Sequence, residues 1–319
     1  MTTASIIQPV SRQSDNIFAG LGRGFARLLV ILKLEIISFP IMVIVVLIYF
    51  FTRTIARRNS MHFWSCFYPG KSRLFCGLLA YFHFFNYARL MMERLGKRKF
   101  HTSRYLGLDN ENIREARKIA RAEESGRPLV LITSHTGGYS YYEFLSRFVL
   151  RKKAHMVMLL DDEKYSFFQK KTDGLLGIIN SRNVIQSVLE ISAALNRRET
   201  IIFMGDRITN AEQCVEKNTG GIKMNFPLWP WQCAVKFQAA VLCLFIIRTP
   251  EGYRLKISEL AENSCPENSE GRLQQVITGY AEELGGVIRK FPFQWFNYPD
   301  PYVFNLRENP NRQEGARKV

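Results

Sequence analysis

Apolar positions fall into two regimes along the chain. From Ile36 to Phe51 they are almost unbroken, "IISFPIMVIVVLIYFF". From Pro128 onward they come as short runs separated by stretches with helical spacing. That second pattern predicts strands at 129–134, 155–160, 200–204 and 240–247, with helices at 138–150, 163–177, 183–198 and 229–239. Strands separated by helices of this length imply βαβ units and a mainly parallel sheet. "YRLKISE" (253–259) alternates and reads as an antiparallel edge strand. "GGIKMNFP" (220–227) reads as a hairpin arm or loop, and 270–290 as one more amphipathic helix. The fold class expected is α/β: a mainly parallel central sheet flanked by helices, preceded by an N-terminal membrane-associated helix.

The first regime sets that last expectation. A helix over Ile36–Phe51 is about 24 Å long, short of a ~30 Å hydrocarbon core. Extension back through "LLVILKLE" gives the length but brings in Lys33 and Glu35, and Pro40 can kink the helix. Arg23 and Arg27 precede the run, and Arg53, Arg57 and Arg58 follow it. No small-residue cleavage site follows, so a cleaved signal peptide is not expected. One tilted span or a deeply inserted monotopic helix is, with the domain behind it on the cytoplasmic side; a helix buried in a soluble core is the alternative the same run allows. Residues 61–96 read as helical and aromatic-rich, and Asn110–Ser125 as a charged helix. The chain then divides into a tail (1–24), a membrane anchor helix with basic flank (25–60), a helical aromatic-rich segment packing on the core (61–107), an α/β domain (108–307) and a disordered polar tail (308–319).

Charge changes the picture of partners. The 319 residues carry a formal net charge of +16, which favours anionic partners: nucleic acid, acidic lipid, phosphorylated substrates or an acidic carrier protein, with composition alone not choosing between them. Basic stretches at "GKRK" (96–99) and "LRKK" (150–153) suit the same partners. No basic-aromatic motif of the nucleic-acid-binding type is present, so nucleic acid is not an expected partner. The six cysteines form no CxxC pair and no Cys/His cluster, so they read as reduced, mostly buried thiols. No metal site and no cofactor are expected.

Chemistry concentrates where two apolar runs end. "PLVLITSHTGG" gives Ser134 and His135; "TIIFMGDRIT" gives Asp206 and Arg207 after Gly205. Ligands of parallel α/β sheets bind beyond the carboxyl ends of the strands. A His and an Asp-Arg pair at adjacent strand ends suit acid–base work on an anionic substrate. Gly137 and Gly138 are expected to let backbone approach a ligand and to offer N–H groups at a helix start. From spacing alone, the same residues serve equally well as a capping His and a surface ion pair.

Several stretches in order resemble the lysophospholipid acyltransferase superfamily, in particular its lipid A lauroyl/myristoyl acyltransferase branch. They are "TRTIARRNSMHFWSCFYPGKS", "HFFNYARLMMERL", "LITSHTGGYS", "IIFMGDRIT", "NFPLWPWQCA" and "RKFPFQWFNYPDPY", between about residues 25 and 304. The resemblance implies an acyltransferase-type fold at the bacterial inner membrane. It implies transfer of a fatty acyl chain from acyl carrier protein or acyl-CoA to a hydroxyl or amine of a lipid acceptor. His135 would be the general base, with an acidic partner steadying its charged form as in a Ser-His-Asp triad.

Two departures matter. Where the family has an acidic residue five positions after the histidine, this chain has Ser140, which cannot offset a charge. Three answers stay open: Glu143, on the same helix face as Ser140, stands in; Asp206 or Asp162 reaches the imidazole across the sheet edge; or the chain is a slow or silent lipid-binding relative. Trp229 occupies a family Gly position and either floors the acyl pocket or packs in the core. Arg207 is expected to grip a phosphate, and Arg182, at a helix start, resembles a basic position of the family.

Overall fold

The computed structural model describes residues 35–96, 109–138, 149–171, 176–208, 213–260, 269–300 and 302–304. The apolar run forms helix α1 (Glu35–Thr52), which contains Pro40. It does not continue straight. At Arg53 the chain turns by 93° into α2 (Thr54–Phe67). Arg57 closes the corner: its guanidinium donates to the carbonyls of Phe50 and Phe51, both at 3.2 Å, which α1 leaves without intrahelical partners. Among the described residues, no single helix is long and apolar enough to cross a membrane; the bent pair passes that test only jointly. The aromatic segment is likewise two helices rather than one. Pro69 and Gly70, the latter at φ +83°, interrupt it between α2 and α3 (Arg73–Gly96).

α1 and α3 pack through aromatic edges, Phe50 against Tyr81 and Phe84, and Phe39 against Phe85. Their outer faces are apolar and open: Ile44, Ile48 and Phe51 on α1, and Leu74 and Leu78 on α3, are all exposed.

The charged helix α4 (Asn110–Glu124) starts as its sequence demands. Asp109 caps it by accepting the Asn112 N–H at 2.9 Å. Then follow β1 (Leu129–Thr133), β2 (Ala154–Met158), α5 (Asp162–Lys171), β3 (Leu176–Asn180), α6 (Val184–Asn196), β4 (Thr200–Met204), β5 (Cys214–Thr219), β6 (Ile222–Pro227), α7 (Trp229–Lys236), β7 (Ala240–Thr249), β8 (Gly252–Glu259) and α8 (Ser269–Lys290). A 3-10 turn, Pro292–Gln294, leads into a closing strap.

Six strands make one sheet in the order β3-β2-β4-β1-β7-β8, all parallel except the β8 edge; β5 and β6 pair separately as a hairpin. The α/β class, the mainly parallel sheet and the antiparallel edge agree with the apolar pattern. Both faces are covered. Val130, Ile132, Ile201 and Phe203 belong to the larger core with α6, α7, α8 and the N-terminal helices; Leu129, Leu131 and Ile202 face α4. This two-sided burial is why the strands read as continuous apolar runs.

Some boundaries differ from expectation. The helix expected over 163–177 ends at Lys171, and Leu176–Asn180 is the edge strand β3. The strand expected at 155–160 ends at Met158. β5 was not anticipated, because "CVEKNT" is a half-exposed hairpin arm with no apolar alternation. Of the helix expected over 138–150, residues 139–148 lie outside the described residues.

Candidate functional site

β1 and β4 lie side by side, Thr133 opposite Met204, and the ladder runs one step further: the Gly205 N–H donates to the Thr133 carbonyl at 2.7 Å. The next residues are therefore level across the sheet edge. A Cβ on Gly205 would fall 2.4 Å from Ile132 Cγ2 and 2.9 Å from the Tyr280 ring, so only glycine lets β4 exit here. Directly beyond it, Asp206 turns to His135.

The pair is closely built. His135 Nδ1 is 2.8 Å from Asp206 Oδ1, and the His135 main-chain N–H donates to Asp206 Oδ2 at 2.9 Å. Oδ2 also accepts the indole N–H of Trp295 at 3.2 Å, and the Asn297 side chain donates to the Asp206 carbonyl. Asp206 is only 1% exposed. On the other side of the ring, Arg207 Nη2 lies 3.2 Å from His135 Nε2. A carboxylate only accepts and a guanidinium only donates. Both contacts thus fit one tautomer, with the proton on Nδ1 and the lone pair on Nε2. Behind Arg207, the buried Asp300 accepts the N–H groups of Ile208 and Tyr302, each at 2.9 Å. Burial pushes the Asp300 carboxyl above the usual aspartate range, against the pull of those two N–H groups and the nearby Arg207 cation.

The structure thus brings together three of the residues singled out from the sequence: His135, Asp206 and Arg207. Ser140 and Glu143 lie outside the described residues. Asp162 is not the partner of the imidazole: it starts α5, 92% exposed, and its nearest cation is Arg182 at 3.9 Å. Arg182 itself is exposed in the turn before α6, on the far strand of the sheet from β1. Trp229 is half-buried at the start of α7, edge-on to Phe203 of β4 with ring centroids 4.9 Å apart. Its ring packs against the strand that delivers Asp206.

The two glycines after His135 have a different task from the one expected. The Gly137 N–H donates to the Gln294 carbonyl and the Gly138 N–H to the Ile246 carbonyl, both at 2.8 Å, so these N–H groups are spent on the fold. Gly137 sits at φ +47°, and a Cβ there would lie 2.2 Å from the Ile246 carbonyl oxygen. Close passage against β7 requires glycine at that point. The "LRKK" stretch also falls away from the site. Arg151 pairs with Glu124, and Lys152 donates to the Glu123 carbonyl at 2.8 Å, at the opposite end of the sheet.

Sequence reading marked the strap stretch "RKFPFQWFNYPDPY" only by its resemblance and did not place it beside Asp206. Trp295, Asn297 and Asp300 stand 89, 91 and 94 positions beyond Asp206, and nothing in the stretch itself says that it folds back there. Beside the strap, a cleft of about 410 Å³ opens between α3 and the end of β7, lined by Arg89, Arg248, Gly137, Gln294 and Phe296 among others. Among the described residues, no group of three or more His, Cys, Asp or Glu side chains is placed to hold a metal ion. Of the five described cysteines, Cys76 and Cys243 are buried, and Cys66, Cys214 and Cys233 are half-buried, fewer fully buried than expected.

No protein-family model matches the chain, and a search of curated proteins finds no match either.

Proposed function

We propose that this chain is a membrane-associated acyltransferase that moves a fatty acyl group from acyl carrier protein or acyl-CoA to a hydroxyl or amine of a lipid acceptor. One observation carries the reading: the His135–Asp206 contact of 2.8 Å, with the carboxylate almost fully buried, at the carboxyl ends of two adjacent parallel strands. The resemblance of the motifs to the lipid A acyltransferase branch and the exposed apolar faces of α1 and α3 point the same way. The bent pair α1/α2 is the membrane-seeking element, lying in the bilayer surface, on the cytoplasmic side of a bacterial inner membrane.

The residues divide the work. The Nε2 lone pair of His135 takes the proton of the acceptor hydroxyl as its oxygen attacks the thioester carbonyl. Asp206 stabilises the imidazolium that forms. Collapse of the tetrahedral intermediate breaks the C–S bond, and the proton on Nε2 leaves with the thiolate. Ester and free thiol are the products. Asp206 takes the part that Ser140 cannot. Arg207 must leave Nε2 for the hydroxyl to enter, and a substrate phosphate is the group that would draw its guanidinium away. The neighbouring cleft, with Arg89 and Arg248 on its walls, suits an anionic headgroup.

A second reading rests on that same contact. With Arg207 held on Nε2 in every state, the chain would bind lipid without acylating it. The test is transfer of labelled acyl chain from acyl carrier protein, or from acyl-CoA, into a lipid extract by protein purified in detergent. Transfer by the wild type and its loss in His135→Ala supports the enzyme. Lipid binding without transfer, across donors of different chain length, supports the silent relative.

A further inference from the structure

We infer that Trp295 is the positioning residue of the His135–Asp206 pair, acting through its indole N–H. The inference rests on the acyltransferase reading for its meaning in catalysis, but not for its geometry. Three tryptophans, Trp64, Trp231 and Trp295, are fully buried. In Trp64 and Trp231 the indole N–H meets no hydrogen-bond partner among the described residues, so those two contribute only ring volume. Trp295 alone of the three spends its N–H, and spends it on Asp206 Oδ2 at 3.2 Å.

That oxygen has two donors, and they differ. The His135 main-chain N–H moves with β1 itself. The indole comes from another part of the chain and fixes the rotation of the carboxylate about its Cβ–Cγ bond. With both donors in place, Oδ1 is left aimed at Nδ1. Without the indole, Oδ2 keeps one donor in a buried setting, and the carboxylate is free to tilt off the ring.

The indole is itself held from three sides. Its backbone bridges antiparallel to Thr136, and the next N–H, of Phe296, donates to the His135 carbonyl at 2.7 Å. Its ring stacks on Phe63 of α2, centroids 5.3 Å apart and planes at 26°. Its carbonyl accepts the Nε2–H of His83 on α3, whose Nδ1 in turn accepts the Ser60 hydroxyl at 3.1 Å. A phenylalanine would satisfy the stacking. Only tryptophan supplies the N–H.

The experiment compares Trp295→Phe with Trp231→Phe in the full-length protein in detergent. Each removes the same atoms from a fully buried site. Trp295→Phe is expected to lower kcat about 10–100-fold, the worth of one hydrogen bond to a charged group, with KM for donor and acceptor kept. Trp231→Phe should keep kcat even where its melting temperature falls as far. A downfield proton resonance from His135 Nδ1–H, identified by its loss in Asp206→Asn, should move upfield in Trp295→Phe and stay in Trp231→Phe. Replacement of Trp295 by benzothienylalanine, which swaps only N–H for sulfur, secures the result where the phenylalanine variant fails to fold. Equal kcat and an unmoved resonance in either Trp295 variant overturn the inference. A wild type that transfers nothing sinks the acyltransferase reading instead, and the resonance then decides this one by itself.

Discussion

His135 and His155 each hold a carboxylate on one ring nitrogen, at 2.8 Å and 2.7 Å, at opposite ends of the same sheet. Both side chains are 12% exposed, so accessibility does not tell them apart. The surroundings of the carboxylates do. Glu199, the partner of His155, is gripped by Arg197 through Nε at 3.0 Å and Nη2 at 2.9 Å. Arg197 foremost, with help from His155, holds the Glu199 carboxyl down at about 2. Its charge is already balanced. Among the described residues, the Asp206 carboxylate takes only uncharged N–H donors besides the ring, which leaves its charge for an imidazolium. The other ring nitrogens differ as well. Nδ1 of His155 lies over β3, where a Cβ on Gly177 would come within 2.4 Å; Nε2 of His135 faces a side chain that can move. A His–carboxylate contact becomes a candidate base only where the carboxylate is uncompensated and the far nitrogen can be reached.

The sharpest break of that comparison is Asp206→Asn, expected to lower transfer by about 10²–10⁴-fold; steady-state rates in detergent check this, and Glu199→Gln should leave them within about twofold. Next comes His83, whose ring partners among the described residues are the Ser60 hydroxyl and the Trp295 carbonyl. Burial drives it down to about 3. Above its usual value of 6.5 both folded and unfolded chains keep it neutral. Below that, the unfolded chain takes up a proton the folded one refuses. Stability should therefore fall by about 1.4 kcal/mol per pH unit from this group between pH ~6.5 and 3, and denaturant titrations should show the slope reduced by that amount in His83→Gln. Smaller again, Gly177→Ala pushes the His155 ring off its seat at a cost of about 1–3 kcal/mol, read as a lowered denaturation midpoint with transfer intact. The smallest effect is on stability in Glu199→Gln, about 1–2 kcal/mol. Because the folded Glu199 value is depressed, that loss is full above the usual 4.5 and fades as pH falls toward 2.

The regions legible in the sequence were those where one physical signal dominated. β1, β4 and β7 are apolar on both faces and announce themselves, and His135, Asp206 and Arg207 stand where those strands end. β3 was hidden although Asp173-Gly174 precedes it, because the short apolar run "LGIIN" suits a helix end as well as a strand. The His135–Asp206 contact was hidden for a different reason. Asp206 is 71 residues from His135, and only strand adjacency brings the two together; Glu143, nearer in sequence, lies outside the described residues. The task of Gly137 depends on the Ile246 carbonyl across the sheet, which nothing in "SHTGGYS" encodes.

The helices that would sit in lipid are also masonry for the reaction centre. Asn59 on α2 is buried and ties the Tyr298 and Asp300 carbonyls at 3.1 and 2.8 Å, beside the Ser60 and His83 links to Trp295. Trimming the front of the chain to obtain a tidy water-soluble catalyst would pull out the wall behind Asp206. The apolar helices and the His135–Asp206 pair share one wall, and preparations that strip away the first should be expected to lose the geometry of the second.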